Sequence, residues 1–488
     1  MTDIIFLSVP KLQLQGPILS IHLLKACVIE AGFSAISADF NAWFANETKG
    51  TLLHEAWTNS DNNLLTDFDA IKSIEDQYIM YWNKFYEEKI KKYNPKIIAL
   101  TVFSYWTWPN IRIIAEQIRE ENPNIKILIG GPGVKFKGKV EPILPYIDDY
   151  ISGDAEYSIV EYLKGNRDYS GINSLEHNNN FSRKNTPIPN YDDIDKSLYI
   201  NNPLGPVYSL VGSRGCVRKC SFCNVPAIWN KFIFKSGKQN AKEMIYLYEK
   251  YGAKTFTFTD SLINGNYKEF MIMLEELANF KNKNKDCEIN FTGQFITREK
   301  NQVKEEMFDL MFASGYYRAT TGIETGSQRL RFEMKKRFSN DAIEYHLEQF
   351  EKSGLEMAPL MFVGFPTETD EDFQETINIL DMFARYPKVV KDIWSDNPMM
   401  ITYNSDVHNN LDNYHVEEYI DANNWTSKYS DRKKRIERHY IFLHEAQKRN
   451  LWKPAQLTSK RTYTMAEEYM KFDNPKKEVV DIIDLWYE

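Results

Sequence analysis

The feature that most constrains the fold is an alternation that occurs twice along the chain. Short apolar, β-prone runs are separated by stretches with helical period. In the first third these runs cover residues 4–8, 35–39, 97–101, 127–129 and 150–151. A helical pattern over 19–31, with apolar positions three and four apart, stops at Gly32. From residue 207 the alternation resumes, with strands at 208–211, 255–260, 288–295, 318–323 and 357–363, and a sixth at 399–403. Helical patterns fall between them at 270–277, 303–313, around Arg329 and at 371–383. Strand alternating with helix builds a parallel sheet covered by helices. Such folds place their chemistry at the carboxyl ends of the strands.

The reading is therefore α/β. Residues 1–165 form a doubly wound, Rossmann-type parallel sheet, and 166–206 a linker. Residues 207–405 form a partial barrel of six βα units, and 406–488 a helical extension. The linker is rich in Asn, Asp, Ser and Pro, including Asn178-Asn179-Asn180 and Pro187-Ile188-Pro189-Asn190-Tyr191. An insertion at 43–92 carries Trp57, Tyr78, Tyr81, Trp82, Phe85 and Tyr86, a stripe read as packing. Trp106 and Trp108 follow a strand end, where one of them could line a ligand face. In the extension, 431–450 reads as a helix with Tyr440, Leu443 and Ala446 on one side. Its basic run Arg432-Lys433-Lys434-Arg435 reads as a solvated face. Tyr403, His408, Trp425 and Tyr429 are candidate pocket residues.

A chain of 488 residues has room for two or three cores, and 43% apolar against 26% charged residues is a globular balance. The net charge of −8 argues against a mainly electrostatic nucleic-acid or membrane-surface binder. No run approaches the ~18 apolar residues that span a bilayer. The start lacks the basic segment and apolar core of a signal peptide, so a cytoplasmic location is expected. No fixed-period repeat is present.

Three of the five cysteines fall within eight positions, as Cys216-x3-Cys220-x2-Cys223, directly after an apolar run. A closed iron–sulfur site takes four thiolates, so three leave one iron open to another ligand. A structural zinc site would need a partner pair, and Cys27 and Cys287 stand alone. A disulfide framework is disfavoured by the odd count and the absence of a secretory context.

With these motifs the chain resembles the radical S-adenosylmethionine (radical SAM) superfamily. The resemblance implies a [4Fe–4S] cluster on Cys216, Cys220 and Cys223, whose open iron binds S-adenosylmethionine and cleaves it reductively to a 5′-deoxyadenosyl radical. It also implies an external electron donor such as flavodoxin or ferredoxin. Phe222 is the aromatic before the third cysteine. Gly322-Ile323-Glu324-Thr325-Gly326-Ser327 resembles the fourth-strand segment that contacts the ribose and methionine portions, roles carried to Glu324 and Ser327. Gly364-Phe365-Pro366-Thr367-Glu368-Thr369 resembles the fifth-strand segment beside the adenine. Asp260, Gln294, Gly364 and, more loosely, Arg298 match further strand ends, and Lys335 or Lys336 a basic position. Glu368 also has a simpler reading, as a carboxylate at a helix N-terminus.

The N-terminal region resembles the cobalamin-binding domain that precedes many radical SAM barrels. That likeness points to Pro10, Asn41, Ser104, Gly130, Gly131 and Glu156 as cofactor contacts. There is no Asp-x-His-x-x-Gly segment to supply a lower axial histidine, and His22 lies inside a predicted helix. The implied activity is cobalamin-dependent methylation of an unactivated carbon. The rivals are radical SAM oxidation, rearrangement, cyclisation or epimerisation without methyl transfer, and a cobalamin- or redox-sensing binding protein. A methylthiotransferase is disfavoured, because the N-terminal region lacks a second cysteine triad. The substrate, a small molecule or peptide, is not legible.

Overall fold

The computed structural model describes residues 1–59, 62–135, 145–174, 186–199, 205–454 and 460–487. The asparagine triplet at 178–180 lies outside the described residues. The chain divides into two compact units. One comprises Met1–Ser209 with Tyr246–Thr255, and the other Leu210–Ile245 with Phe256–Glu488.

The first unit is built on β1 (Thr2–Ser8), α1 (Leu19–Glu30), β2 (Ala35–Asp39), α2 (Phe40–Glu47), α3 (Leu52–Thr58), α4 (Glu75–Phe85), β3 (Pro95–Thr101), α5 (Trp108–Glu121), β4 (Lys126–Gly130), β5 (Asp149–Ile151) and α6 (Ala155–Leu163). The strands form one sheet in the order β2-β1-β3-β4-β5, and every pairing is parallel. Along β1, Ile4 and Phe6 enter one core while Ile5 and Leu7 enter another. A strand buried on both faces reads as an unbroken apolar run, which is why these strands stand out in the sequence. Strand order reverses direction between β1 and β3, the kind of switch point that opens a crevice at the carboxyl ends. The aromatic insertion is packing: Tyr78, Trp82 and Phe85 of α4 are buried around Phe40. Trp108 is wholly buried in the same core, so it lines no ligand face.

The chain continues with β6 (Val207–Leu210), β7 (Ser213–Arg214), α7 (Val225–Ile228), β8 (Ile233–Phe234), α8 (Gly237–Tyr251), β9 (Thr255–Phe258), α9 (Tyr267–Lys283), β10 (Asn290–Phe295), α10 (Glu306–Ser314), β11 (Tyr316–Glu324), α11 (Gln328–Glu333), α12 (Asn340–Ser353), β12 (Glu356–Met361) and α13 (Asp370–Ala384), most of them in the second unit. The second sheet runs β12-β11-β10-β9-β6, so chain neighbours are sheet neighbours. Leu360 makes a parallel bridge to Trp394, which extends the ladder to a sixth position. The sixth strand expected at 399–403 is not there. Met399 and Ile401 are buried by side-chain packing in a loop, while Trp394, about half exposed, makes the ladder hydrogen bonds. Apolar burial alone does not distinguish the two cases.

The extension comprises α14 (Asp406–Asn409), β13 (Val416–Tyr419), β14 (Trp425–Ser427), α15 (Arg432–Lys448), α16 (Lys460–Met470) and α17 (Lys477–Tyr487). Asp431 caps α15 by accepting from Lys434 N, and Tyr440, Leu443 and Ala446 are buried as expected. The basic run is not a solvated face. Arg435 is fully buried, with its guanidinium 3.6 Å from the Trp425 ring centroid, and Arg432 pairs with Glu468.

Candidate active site

The carboxyl ends of the second sheet gather the residues singled out by sequence. The cysteine loop follows β6 and is held at its base by Asp260, two residues beyond β9. The buried Asp260 carboxylate accepts from Gly212 N at 2.7 Å and from Ser213 Oγ at 2.5 Å. Gly215 takes φ +79° and packs against the Lys231 carbonyl so tightly that a Cβ would collide with it. Ser221, between the second and third cysteines, is anchored from the extension by the Val407 N–H, which donates to its carbonyl at 2.9 Å.

The three thiols are half-buried and close enough to influence one another electrostatically. Burial pushes the Cys216 thiol up and takes Cys220 up to about 11, with Lys336 acting in the opposite direction on both. Among the described residues no set of three His, Cys, Asp or Glu side chains converges on a single-ion site. A cubane cluster does not require that, because each thiolate binds its own iron corner. Three neighbouring thiols on one loop, with a cation beside them, fit such a cluster.

That cation is positioned by β11. A register shift between Gly322 and Glu324, with Glu324 at φ +69°, swings the Glu324 carboxylate back over Gly322. Any side chain at 322 would overlap Glu324 Oε1 and lie 2.5 Å from Lys336 Nζ, which accounts for the glycine. Lys336 donates to Glu324 Oε1 at 2.6 Å and to the Gly322 carbonyl at 2.8 Å, and its ammonium lies 5.9 Å from the Phe222 ring centroid. Burial alone would lower this lysine's basicity. The Glu324 carboxylate and the Cys220 and Cys216 sulfurs more than offset it and hold the ammonium above the ordinary lysine range. Of the two lysines matched from sequence, Lys335 turns away to pair with Asp406. Phe222 packs edge-on against Phe362, beyond the end of β12.

Other expected residues divide into those on this surface and those behind it. Gln294 shares a half-buried face of β10 with Thr292, and its carbonyl accepts from Ile263 N. Arg298 is tied to the Asn264 and Gly265 carbonyls, and burial together with the charge of Arg218 lowers its basicity. Ser327 is fully buried as the N-cap of α11 and donates its hydroxyl to Asp372 at 2.6 Å. Gly364 sits at φ +84°, with its N–H donated to Glu368 Oε2 at 2.8 Å. Glu368 is therefore no mere helix-terminus carboxylate. It is buried and paired with Arg438 at 2.6 Å, and the cap of α13 is Thr369 in a capping box with Asp372. Burial raises Glu368 to about 7, with Arg438 acting against the rise. Trp425 is buried beneath Arg435 and is not a pocket residue, whereas Tyr403 is two-thirds exposed beside His408. Asp372 and Arg438 escaped the sequence reading, and Arg435 entered it only as part of a solvated face. The only signal for the two arginines was their i, i+3 spacing on one helix.

Residues 210–380 match the family model described as the radical SAM superfamily. That segment is a radical SAM domain. An uncharacterised methyltransferase of Pyrococcus horikoshii is 26% identical over 59% of this chain, which spans just under two thirds (64%) of that relative. The fold is that of OxsB, a cobalamin-dependent S-adenosylmethionine radical enzyme solved with aqua-cobalamin bound. The TM-score is 0.62 at 15% identity, covering 99% of this chain and 71% of that one. It is also that of TsrM from Kitasatospora setae, a radical S-adenosylmethionine methyltransferase solved with cobalamin and a [4Fe–4S] cluster. There the TM-score is 0.58 at 16% identity, covering 84% and 77%.

In the first unit, the residues matched to cobalamin contacts also divide. Pro10 is buried, and Asn41 is turned inward: its Oδ1 accepts from Leu12 N and Trp57 Nε1, and its Nδ2 donates to Leu12 O. Gly130 ends β4. Gly131, at φ +115°, lets the next loop close on Val102, whose carbonyl would lie 2.5 Å from a Cβ. Ser104 and Glu156 are buried beyond β3 and in the first turn of α6. At the same strand ends Phe103 is half exposed, and the buried Ser152 hydroxyl has no hydrogen-bond partner among the described residues. His22 is buried against Ser37 and Asn190 and is no ligand there.

Proposed function

We propose that this chain is a radical SAM enzyme. In this reading Cys216, Cys220 and Cys223 hold a [4Fe–4S] cluster with S-adenosylmethionine at its open iron, and the first unit binds cobalamin for methylation of an unactivated carbon. The observation that carries the reading is the cysteine loop itself: three half-buried thiols at the carboxyl ends of a parallel sheet, two of them under the electrostatic influence of the Lys336 ammonium. When bound, the cluster and S-adenosylmethionine supply a carbon-centred radical, and cobalamin a methyl carrier.

The chain's own residues bind, orient and exclude water. Asp260 fixes the base of the cysteine loop, and Phe222 with Phe362 forms an apolar wall. Glu324, paired with Lys336 at 2.6 Å, accepts from ribose hydroxyls. Ser327 and Asp372 shape the loop after β11, Gly364 brings backbone to the adenine, and Gln294 lies on the half-buried face of β10. Electrons enter from an external flavodoxin or ferredoxin. No helix among the described residues is long and apolar enough to cross a membrane, and a reduced cluster suits the cytoplasm. The division of labour follows residues 1–165, 166–206, 207–405 and 406–488.

The inward commitment of Asn41 favours one alternative, the same radical chemistry without methyl transfer. Anaerobic reconstitution with iron and sulfide, with and without cobalamin, separates the two. Mass spectrometry is expected to find 5′-deoxyadenosine in both cases and methylated corrinoid only with cobalamin. Retention of full iron content and turnover after all three cysteines become alanine would sink both readings.

A further inference from the structure

The C-terminal extension reaches the loop at 363–368 through three side chains. Arg438 of α15 donates to Glu368 Oε2 at 2.6 Å and to the Glu368 carbonyl at 3.2 Å, while its other nitrogen pairs with Asp370 at 2.7 Å. The same Glu368 Oε2 accepts the Gly364 N–H at 2.8 Å, and Glu368 N returns to the Phe365 carbonyl at 2.9 Å. The loop is thereby closed into a ring whose clasp is one carboxylate oxygen. Arg435 supports it from the same helix. Its stem fills the space where a Gly364 side chain would lie, with Cγ and Cδ at 2.7 and 2.8 Å from a Cβ, and its head is fixed to the Trp425 and Asn423 carbonyls. Ser427 Oγ donates to the Pro366 carbonyl at 2.7 Å.

A wholly buried ion pair is a poor source of stability, because desolvation offsets its attraction, so its directional hydrogen bonds are the more informative property. Here those bonds end on the backbone of one strand-end loop. We infer that Arg438, acting through Glu368, and Arg435, acting through its stem, are positioning residues that set the height and orientation of the 363–368 backbone against the adenine of S-adenosylmethionine. The inference rests on the S-adenosylmethionine reading above. It makes the extension part of cofactor binding rather than a cover.

The test uses the full chain, anaerobically reconstituted, with Arg438→Met, Glu368→Gln and Arg438→Lys compared with wild type. Iron content, the spectrum of the reduced cluster and the thermal midpoint are followed beside KM and kcat for S-adenosylmethionine cleavage. Arg438→Met and Glu368→Gln are expected to raise KM about 10- to 100-fold, as loss of a supporting partner typically does. The cluster spectrum without S-adenosylmethionine should stay unchanged, and Arg438→Lys should recover part of the loss. Should Arg438→Met fail to fold, Ser427→Ala removes the bond to Pro366, together with the local Tyr429 and Ser430 N–H bonds to the same hydroxyl, and is expected to raise KM by less. Unchanged KM in every soluble variant overturns the inference. So does a parallel fall of iron, thermal midpoint and kcat with KM unmoved. A wild-type protein that loads iron but does not bind S-adenosylmethionine overturns the functional reading itself.

Discussion

Lys336 donates to the Glu324 carboxylate at 2.6 Å, and its charge and the Cys216 and Cys220 sulfurs act on one another electrostatically. Lys335 and Arg337 on either side both have left-handed backbone, at φ +63° and +54°. Such conformations cost roughly 1 kcal/mol each, so the surrounding structure holds Lys336 in place against local preference. Lys336→Met would leave Glu324 buried without its counter-charge. The expected outcome is a 10- to 100-fold loss in the rate of 5′-deoxyadenosine formation per cluster, with iron content retained. A variant cleaving at the wild-type rate would remove Lys336 from the site.

The Asp372 carboxylate accepts from Ser327 Oγ, Thr369 N and Arg329. Burial alone would raise its pKa, but these bonds prevail and bring it down to about 2. A carboxylate depressed in the folded state stabilises the fold above its ordinary pKa, and that stability is lost as pH falls toward the depressed value. Asp372→Asn is therefore expected to cost about 2 kcal/mol near neutrality. The gap between variant and wild type should close between roughly pH 4 and pH 2. Urea unfolding of both proteins across that range is the measurement, and a pH-independent gap would refute the charge argument.

Gly364→Ala would place a side chain at φ +84° and against the stem of Arg435. The backbone term alone is roughly 1–2 kcal/mol. The thermal midpoint is expected to drop, and S-adenosylmethionine affinity to weaken with it, in a titration of the reconstituted protein. Unaltered affinity would show that the loop tolerates displacement.

In the first unit, Lys25 is almost wholly buried and pairs with Asp193 at 2.5 Å, and that carboxylate also accepts from Ser37 N. Removing one partner of such a pair costs about 3–5 kcal/mol when both are buried. Asp193 keeps some exposure, so Lys25→Met is expected to fall at the lower end, near 3 kcal/mol. Limited proteolysis should show earlier cleavage within residues 1–209 while iron content is unchanged.

The strands of the first sheet were legible because a parallel strand buried on both faces leaves a continuous apolar run, as in Ile4-Ile5-Phe6-Leu7. The cysteine loop was legible because cluster ligation demands thiolates at short, fixed separations. The sixth strand was misplaced because Ile401 is as apolar and buried as a strand residue but owes its burial to a loop core. Arg435 was misread because a charge run looks the same whether it faces water or stacks on an indole such as Trp425.

By itself the sequence determined the alternating α/β architecture, the position of the thiol loop and the order of the motifs behind it. These depend on periodicity and spacing along one chain. Only the tertiary structure decided that Lys336 rather than Lys335 faces the sulfurs, that Ser327 is held by Asp372, and that Arg438 reaches Glu368 across seventy residues of chain. The reason is physical: which charge meets which partner depends on a bulge, a pair of left-handed residues and the path of a distant helix. None of these leaves a period in the sequence.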